Sequence, residues 1–426
     1  MSSATTPRDR PVGPFALLAL GVNGIVGVGI FFVPATLGRL TPGRAGIAVF
    51  ALTALALVPV ALVFAVLGRR FDEDGGPVLF ARAAFGEMFS FLVGWLAYVS
   101  AILSAAAVMF GLASALAPML GFQGPLAFRV ACAVLVTGLC LVVASGISIS
   151  ALAWTTLTVL KLLPLVALVA VFVVVGPSLG APVLAPGASP PPDWARAILT
   201  ALFACQGFEI VPVIAGQVRA SRRAVPFATV GSLLLSCLLY VGLMWACVAT
   251  LPLLAASRAP LADAGSALAG ASFGWVIGIG TSVSALGICL GMMVTTPRYL
   301  SALASGARRV FDLDRFAPNG VPMRALVVTW FLVMVMVQAG DLSELFALSA
   351  LAVLVQFNVT AAALFALAVR RERDLRPAHA LLAVPAFALG LYLAKAGATR
   401  NEVFGSIATV ALGFVLFAVS KRRSQT

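Results

Sequence analysis

Two ionisable side chains lie deep in apolar sequence: Lys161, within "SISALAWTTLTVLKLLPLV", and Glu209, within "LFACQGFEIVPV". A charge at membrane depth is costly and marks a functional position by default. Lys161 is ten residues past Ala151, where the run turns apolar; at 1.5 Å per residue that is about 15 Å in, near a bilayer midplane and beyond snorkelling. Holding a cation there costs roughly 2.5–3.5 kcal/mol, and desolvation penalises the charged form. Lys161 is therefore a candidate proton carrier, with a permanently charged lysine tied to backbone carbonyls as the structural alternative. Glu209 follows "CQG" and has two readings: it braces N–H groups freed by a helix break, or it exchanges a proton. A third feature is "GVNGIVGVGIFF", Gly21–Phe32, rich in the poorest helix former after proline. One reading is close helix packing through small residues. The other is an unwound stretch at Gly27-Val28-Gly29, which a membrane tolerates only where the freed backbone is buried or lines a cavity. Freed N–H groups backed by a helix N-terminus suit a carboxylate, and freed carbonyls on the other half-helix suit an ammonium. Together they match a zwitterion, as an amino acid is.

The elements that must hold these groups are apolar runs of about 20 residues, the length that crosses a bilayer. Hydropathy places twelve: 14–38, 45–68, 87–118, 126–146, 151–175, 194–217, 226–250, 271–297, 323–340, 342–369, 377–396 and 402–420. The expected class is an all-α integral membrane protein. The first and the sixth helix are both interrupted, and paired interruptions point to two repeats of five helices in inverted orientation, with a substrate site between them. The expected divisions are 1–13 (cytoplasmic N-terminus), 14–175 (first repeat), 194–370 (second repeat), 376–420 (two peripheral helices) and 421–426 (cytoplasmic tail). "RRFDEDGGPVLFARAAFGE" reads as a turn followed by a short helix, and Gly176–Asp193 as a Pro/Gly-rich external loop.

Composition agrees. With 62% hydrophobic and 10% charged residues and a mean hydropathy of +1.09, there is too little polar surface to cover a water-soluble globule. The net charge of +13 does not imply a nucleic-acid partner. Arg69, Arg70, Arg82, Arg219, Arg222, Arg223, Arg298, Arg308, Arg309, Arg370, Arg371 and Lys421 fall between helices on the side that also holds both termini. The opposite loops hold Arg39, Arg44, Arg258, Lys395 and Arg400. The asymmetry follows the positive-inside rule and puts both termini in the cytoplasm, in a plasma (inner) membrane protein. The six cysteines lie within helices and suggest neither a disulfide framework nor a metal site. The apolar run behind the first dozen residues is too long for a cleaved signal peptide. Phosphate-loop chemistry is absent from the surroundings of Lys161, Lys395 and Lys421. The single histidine, His379, lies at a helix end with no paired carboxylates at one depth, so metal or acid–base catalysis has little to work with.

An ordered set of motifs resembles the amino acid–polyamine–organocation (APC) transporters: "GIVGVGIFFVPA" in helix one, "GGPVLFARAAFGE" after helix two, "GFE" in helix six, "QVRASRRAVPFA" after it and "TPRYLSALA" after helix eight. The resemblance implies the LeuT-like fold, twelve transmembrane helices in a five-plus-five inverted repeat with helices one and six broken. It also implies a proton-coupled, sodium-independent branch, because a lysine at mid-helix five stands where other branches bind sodium, although some exchangers share it. By resemblance, the amides of Gly27, Val28 and Gly29 hold the substrate carboxylate, the carbonyls of Ile25, Phe203 and Gln206 hold its α-amino group, and the Phe203 ring closes over it. Tyr98 and Ile102 are candidates for the side-chain pocket, and Ser282 or Ser284 for the helix-eight partner of Lys161.

The sequence departs from the family at Val28, where a small hydroxyl residue is usual, and at Gln217, where an acid often opens the loop. The expected activity is proton-coupled import of neutral, apolar L-amino acids by alternating access, with exchange, or transport of a related amine, as the alternative. The expected partners are the amino acid and membrane lipid, with no nucleic acid and no cofactor other than the coupling proton.

Overall fold

The computed structural model describes residues 12–27, 29–116, 121, 124–146, 151–176, 191–306 and 312–422. The elements are α1 (Pro14–Ile25), α2 (Gly29–Leu40), α3 (Ala45–Arg70), α4 (Pro77–Phe85), α5 (Glu87–Leu116), α6 (Pro125–Ala144), α7 (Ala151–Val175), α8 (Trp194–Cys205), α9 (Ser221–Thr250), α10 (Pro260–Ala269), α11 (Ala271–Gly306), α12 (Met323–Ala339), α13 (Leu342–Val369), α14 (Ala383–Tyr392) and α15 (Arg400–Arg422). A 3-10 segment, Phe208–Gln217, continues α8. Among the described residues nine helical stretches are long and apolar enough to cross a membrane, ten when the bent pair α1 and α2 is one span. Helix occupies every segment that hydropathy marks; α12 is a shorter apolar helix.

Helix ends follow local chemistry. Pro14, Pro77, Pro125 and Pro260 sit in first turns, where no intrahelical N–H is needed. Asp193 and Asp341 cap α8 and α13 by accepting from the amides of Arg196 and Glu344. The short helix expected after helix two is α4. The sequence does not mark α10, because ten residues are too few for a hydropathy window to separate from a loop. The Pro/Gly-rich loop expected over 176–193 lies largely outside the described residues.

Much of the packing falls in two groups, which α13 joins by packing on α8 as well as on α5. In one, α1, α3, α9 and the 208–217 segment pack together, with α8 against α2 and α3; in the other, α5 packs against α11, α12 and α13. The outer helices turn apolar side chains such as Leu141, Phe331, Phe404 and Val415 to the surroundings, as a lipid-facing surface requires. Arg70 lies 3.8 Å from Asp374, Gly216 N donates to Asp74 at 3.0 Å, and Arg370 donates to the Ala84 carbonyl at 3.1 Å. These contacts gather the arginine-rich turns at one end of the bundle, called the basic end below.

Candidate functional site

The two interrupted helices meet at their breaks. Helix α1 stops at Ile25 because Val26 leaves helical geometry (φ −69°, ψ 74°), and α2 departs at 46° to it. In the second, Gly207 takes φ +127°, a conformation that disfavours any side chain. The backbones touch there: a Cβ on Gly207 would stand 2.5 Å from the Gly24 carbonyl oxygen, and one on Gly24 3.2 Å from the Gly207 oxygen. On α2, a Cβ at Gly29 would come within 3.0 Å of Ala204 Cα on α8. Gly24 and Gly29 are thus positions of close approach, as the packing reading of the glycine run requires. Gly27 differs, since its added Cβ would meet nothing nearer than the Ile25 oxygen at 3.7 Å. The two readings of the run divide between its glycines. Val28 lies outside the described residues.

The break changes the partners of the backbone. In a continuous helix Gly27 N would donate to Asn23 O; instead it turns to Ile25 O at 2.6 Å. The Asn23 carbonyl so released accepts from Lys161 Nζ at 2.7 Å, and Lys161 is 5% exposed. The second break works alike: Gly207 N donates to its near neighbour Glu209 Oε2 at 2.7 Å, so the Phe203 carbonyl has no i+4 helical partner. Glu209 thus accepts from the N–H that the break frees, the contact its bracing reading requires.

The carbonyl of Ile25 is already engaged. Besides Gly27 N, it faces Tyr240 Oη of α9 at 2.8 Å, and that hydroxyl also lies 3.1 Å from Ala204 O. One buried tyrosine thus clasps the ends of α1 and α8. Hydropathy could not mark Tyr240, an aromatic inside an apolar run; only the crossing of three helices gives it a role.

Three of the α5 positions sort by helical phase. Tyr98 and Ile102, four residues apart, share a face. Tyr98 hydrogen-bonds Thr329 of α12 at 3.1 Å, and Ile102 is buried. The α5 residue that reaches the second break is Ser104, whose Oγ lies 3.0 Å from Gln206 Nε2 and 2.8 Å from Ser349 Oγ of α13. Ser100 Oγ lies 3.3 Å from the same Ser349 hydroxyl. Gln206 Oε1 is buried without a partner among the described residues. The aromatic lid expected at Phe203 stacks on Phe346 of α13, ring centroids 4.3 Å apart. Ser100, Ser104 and Ser349 were not singled out from sequence, because a serine in an apolar helix carries no phase information about its neighbours.

Facing Lys161, α11 packs along α7, and a Cβ at Gly280 would meet Pro164 at 3.0 Å. Ser284 is 4% exposed, and its Oγ has no hydrogen-bond partner among the described residues. Ser282 is half-buried. Among the described residues neither serine bonds Lys161; its partner is the Asn23 carbonyl.

At the basic end, hydrogen bonds seal one turn to the next. Asp74 accepts from Gly216 N at 3.0 Å and Gln217 Nε2 at 3.1 Å, Gly75 N donates to Val213 O at 2.8 Å, and Arg219 N donates to Val12 O at 2.9 Å. Gln217 thus takes its partner from the turn after α3. At the opposite end a cavity of about 970 Å³ opens among α2, α5, α6, α10 and α13.

A sequence model of the amino acid permease family matches residues 12–421. The serine/threonine exchanger SteT of Bacillus subtilis (strain 168) is 25% identical over 312 residues, 69% of this chain and 68% of that protein. An uncharacterised transporter of Mycobacterium tuberculosis (strain ATCC 25618 / H37Rv) is 28% identical over 413 residues, 92% of this chain and 90% of the relative. Cationic amino acid transporter 4 of Mus musculus is 33% identical over 107 residues, 25% of this chain but 17% of that longer protein.

Proposed function

Because the chain belongs to the amino acid permease family, among the APC transporters, we propose that it imports neutral L-amino acids with protons by alternating access. In this reading it has twelve spans, five in each half of a LeuT-like inverted repeat of 14–175 and 194–370 and two peripheral ones in 376–420, lies in the plasma membrane and keeps its basic end in the cytoplasm. The observation that carries it is the bond from Lys161 Nζ to Asn23 O, 2.7 Å, the carbonyl that the break in the first helix releases. An ammonium on α7 there ties α7 to the substrate-binding break, the place a coupling cation must act. Protonated from outside, Lys161 holds the break in its binding form; when it loses the proton inward, the tie weakens and the body of α1, α3, α8 and α9 rocks. Ser284 of α11, the helix packed along α7, has no hydrogen-bond partner among the described residues and receives the amine in the other state. Sodium has no part in this scheme.

The substrate carboxylate sits against the amides of Gly27, Val28 and Gly29. Its ammonium meets the Phe203 carbonyl and Gln206 Oε1, since Ile25 O is engaged by Tyr240 and Gly27. Phe203 and Phe346 close over it. Ser104 and Ser349 beside Gln206 admit a short hydroxyl side chain as well as an apolar one. Lys161 and Glu209, at the two breaks, leave no carboxylate free for a cationic side chain, because Glu209 is spent on Gly207 N.

Exchange without net proton flow is the second reading, favoured by the similarity to a protein named as an exchanger. The test is uptake of labelled alanine, serine, leucine and phenylalanine into proteoliposomes, with and without an acid-outside gradient, for wild type and Lys161→Ala. Gradient-driven accumulation by wild type alone is the expected result. Uptake only into vesicles preloaded with amino acid makes the protein an exchanger, and no uptake of any of the four sinks the substrate class.

A further inference from the structure

Two of the six cysteines stand side by side at the second break. Cys205 is the last residue of α8, two positions before Gly207, and Cys237 lies midway along α9. Cys237 Sγ donates to Cys205 Sγ at 3.7 Å, and the two residues are 3% and 0% exposed. Both lie in the apolar core of the bundle, and both thiols are free. Among the described residues no other cysteine has a thiol for a hydrogen-bond partner; Cys247, for one, turns to the Pro260 carbonyl at 3.6 Å.

A buried cysteine by itself packs as a small apolar side chain. A pair in contact can also act as one bidentate ligand, and its geometry and surroundings decide for what. A four-coordinate metal ion needs further ligands, and among the described residues no three histidine, cysteine or acidic side chains come together to supply them. A two-coordinate soft cation needs its sulfurs on opposite sides. With bonds of about 2.3 Å, the length that sulfur makes to zinc and close to the length it makes to arsenic, sulfurs 3.7 Å apart subtend roughly 107° at the atom between them. That is far from a straight line and near the angle at pyramidal arsenic(III), whose coordination is complete with two sulfurs and one carbon. The product carries no charge, so a dry apolar site holds it without the cost of burying an ion. A disulfide, by contrast, would need the sulfurs to close to about 2.0 Å and an oxidant to remove two electrons.

We propose that Cys205 and Cys237 form a two-thiol site for trivalent organoarsenicals, and that its occupation stops α8 from moving at its break. The reaction is a condensation. With phenylarsine oxide, each sulfur forms one bond to arsenic, the bond from arsenic to oxygen breaks, and the two thiol protons leave with that oxygen as water; no oxidation state changes. The bridge fixes the last residue of α8 to α9. One turn further along α9, Tyr240 already lies against the Ala204 and Ile25 carbonyls, so the end of α8 is then held to α9 at two successive residues. Because α8 and α9 flank the same break, the bridge stiffens that break. Its effect on transport rests on the reading of the protein as a transporter, whereas occupation of the site does not.

Purified protein is treated with phenylarsine oxide in detergent, and its intact mass should rise by one phenylarsenic group. When the treated protein is unfolded and alkylated with N-ethylmaleimide, Cys205 and Cys237 should be spared and the other four cysteines alkylated. Excess 2-mercaptoethanol should leave the arsenic in place, while 2,3-dimercaptopropanol, itself a dithiol, should remove it. Cys205→Ser and Cys237→Ser should each retain no arsenic, and Cys289→Ser should retain it as wild type does. Hydrogen exchange at Gln206, Gly207 and Phe208 should slow several-fold in the bridged protein, the sign of a local opening suppressed. In proteoliposomes the same treatment should lower leucine uptake several-fold in wild type, reversibly with the dithiol, and leave uptake by the two serine variants unchanged. No adduct on wild type, an adduct on other cysteines, or release by 2-mercaptoethanol overturns the site, and none of these readings depends on a variant folding. Arsenic held at Cys205 and Cys237 with exchange across the break unchanged overturns the stiffening, as does undiminished uptake. Arsenic held there by a protein that, untreated, carries none of the four amino acids leaves the site standing and sinks the proposed function.

Discussion

At the scale of single residues, the break in each interrupted helix is set by one backbone donor that turns away from its helical acceptor: Gly27 N to Ile25 O, and Gly207 N to Glu209 Oε2. What each glycine does there decides how it tolerates change. Gly207→Ala brings a Cβ to 2.5 Å from Gly24 O at φ +127°, so strain adds to collision. The variant is expected to lose the monodisperse peak in detergent size-exclusion chromatography. Gly27→Ala, with open space around it, should keep that peak. Tyr240→Phe removes the one hydroxyl that lies against both the Ile25 and the Ala204 carbonyls, a buried loss of about 1–3 kcal/mol. A lowered melting temperature together with a raised KM for leucine is the expected outcome, and an unchanged melting temperature would remove the clasp from the argument.

At the scale of elements, the half-helix α8 has a fixed outer end and a braced inner one. Arg196 grips Glu402 of α15 with both nitrogens, at 2.6 and 2.8 Å, and reaches Gly397 O at 3.3 Å and Ser343 Oγ at 3.4 Å. The side chains are 13% and 4% exposed. Removing one partner of a buried ion pair strands the other charge, at about 3–5 kcal/mol. Glu402→Ala is therefore expected to lower thermal stability in detergent far more than removal of the exposed pair by Glu87→Ala, whose partner Arg82 is 54% exposed. Equal effects would mean that α15 is a passenger. A helix held at its outer end can still swing at its inner one, which suits α8 to a hinge at Gln206 and Gly207.

For the whole molecule, the asymmetry is between a basic end whose turns are sealed to one another by hydrogen bonds, with a pocket of about 60 Å³, and an opposite end with a cavity of about 970 Å³. Asp74 is the centre of the seal, with bonds to the 208–217 segment that continues the broken helix. Asp74→Ala should speed hydrogen exchange across Val213–Gln217 and leave the α13 N-terminus unchanged. Equal exchange in both proteins would show that the seal does not depend on this turn. Such a change fits an alternating-access protein, in which one end opens as the other closes.

Hydropathy and spacing alone were enough to locate the long helical segments, though not α10, and with them the interruptions at Gly27 and Gly207 and the two ionisable residues deep in apolar runs, Lys161 and Glu209. A bilayer sets the length of its helices, and a charge or a glycine stands out against an apolar run wherever the run packs. Partners were a different matter. That Lys161 meets Asn23 O, that Tyr240 joins two breaks, and that Ser104 and not Tyr98 faces Gln206 all depend on the rotation and depth of helices far apart in the chain. Within one helix, phase says which residues share a face, but not what that face meets. Only the packing of helix against helix decides that, because the contacts that choose it are spread over many apolar side chains of nearly equal worth.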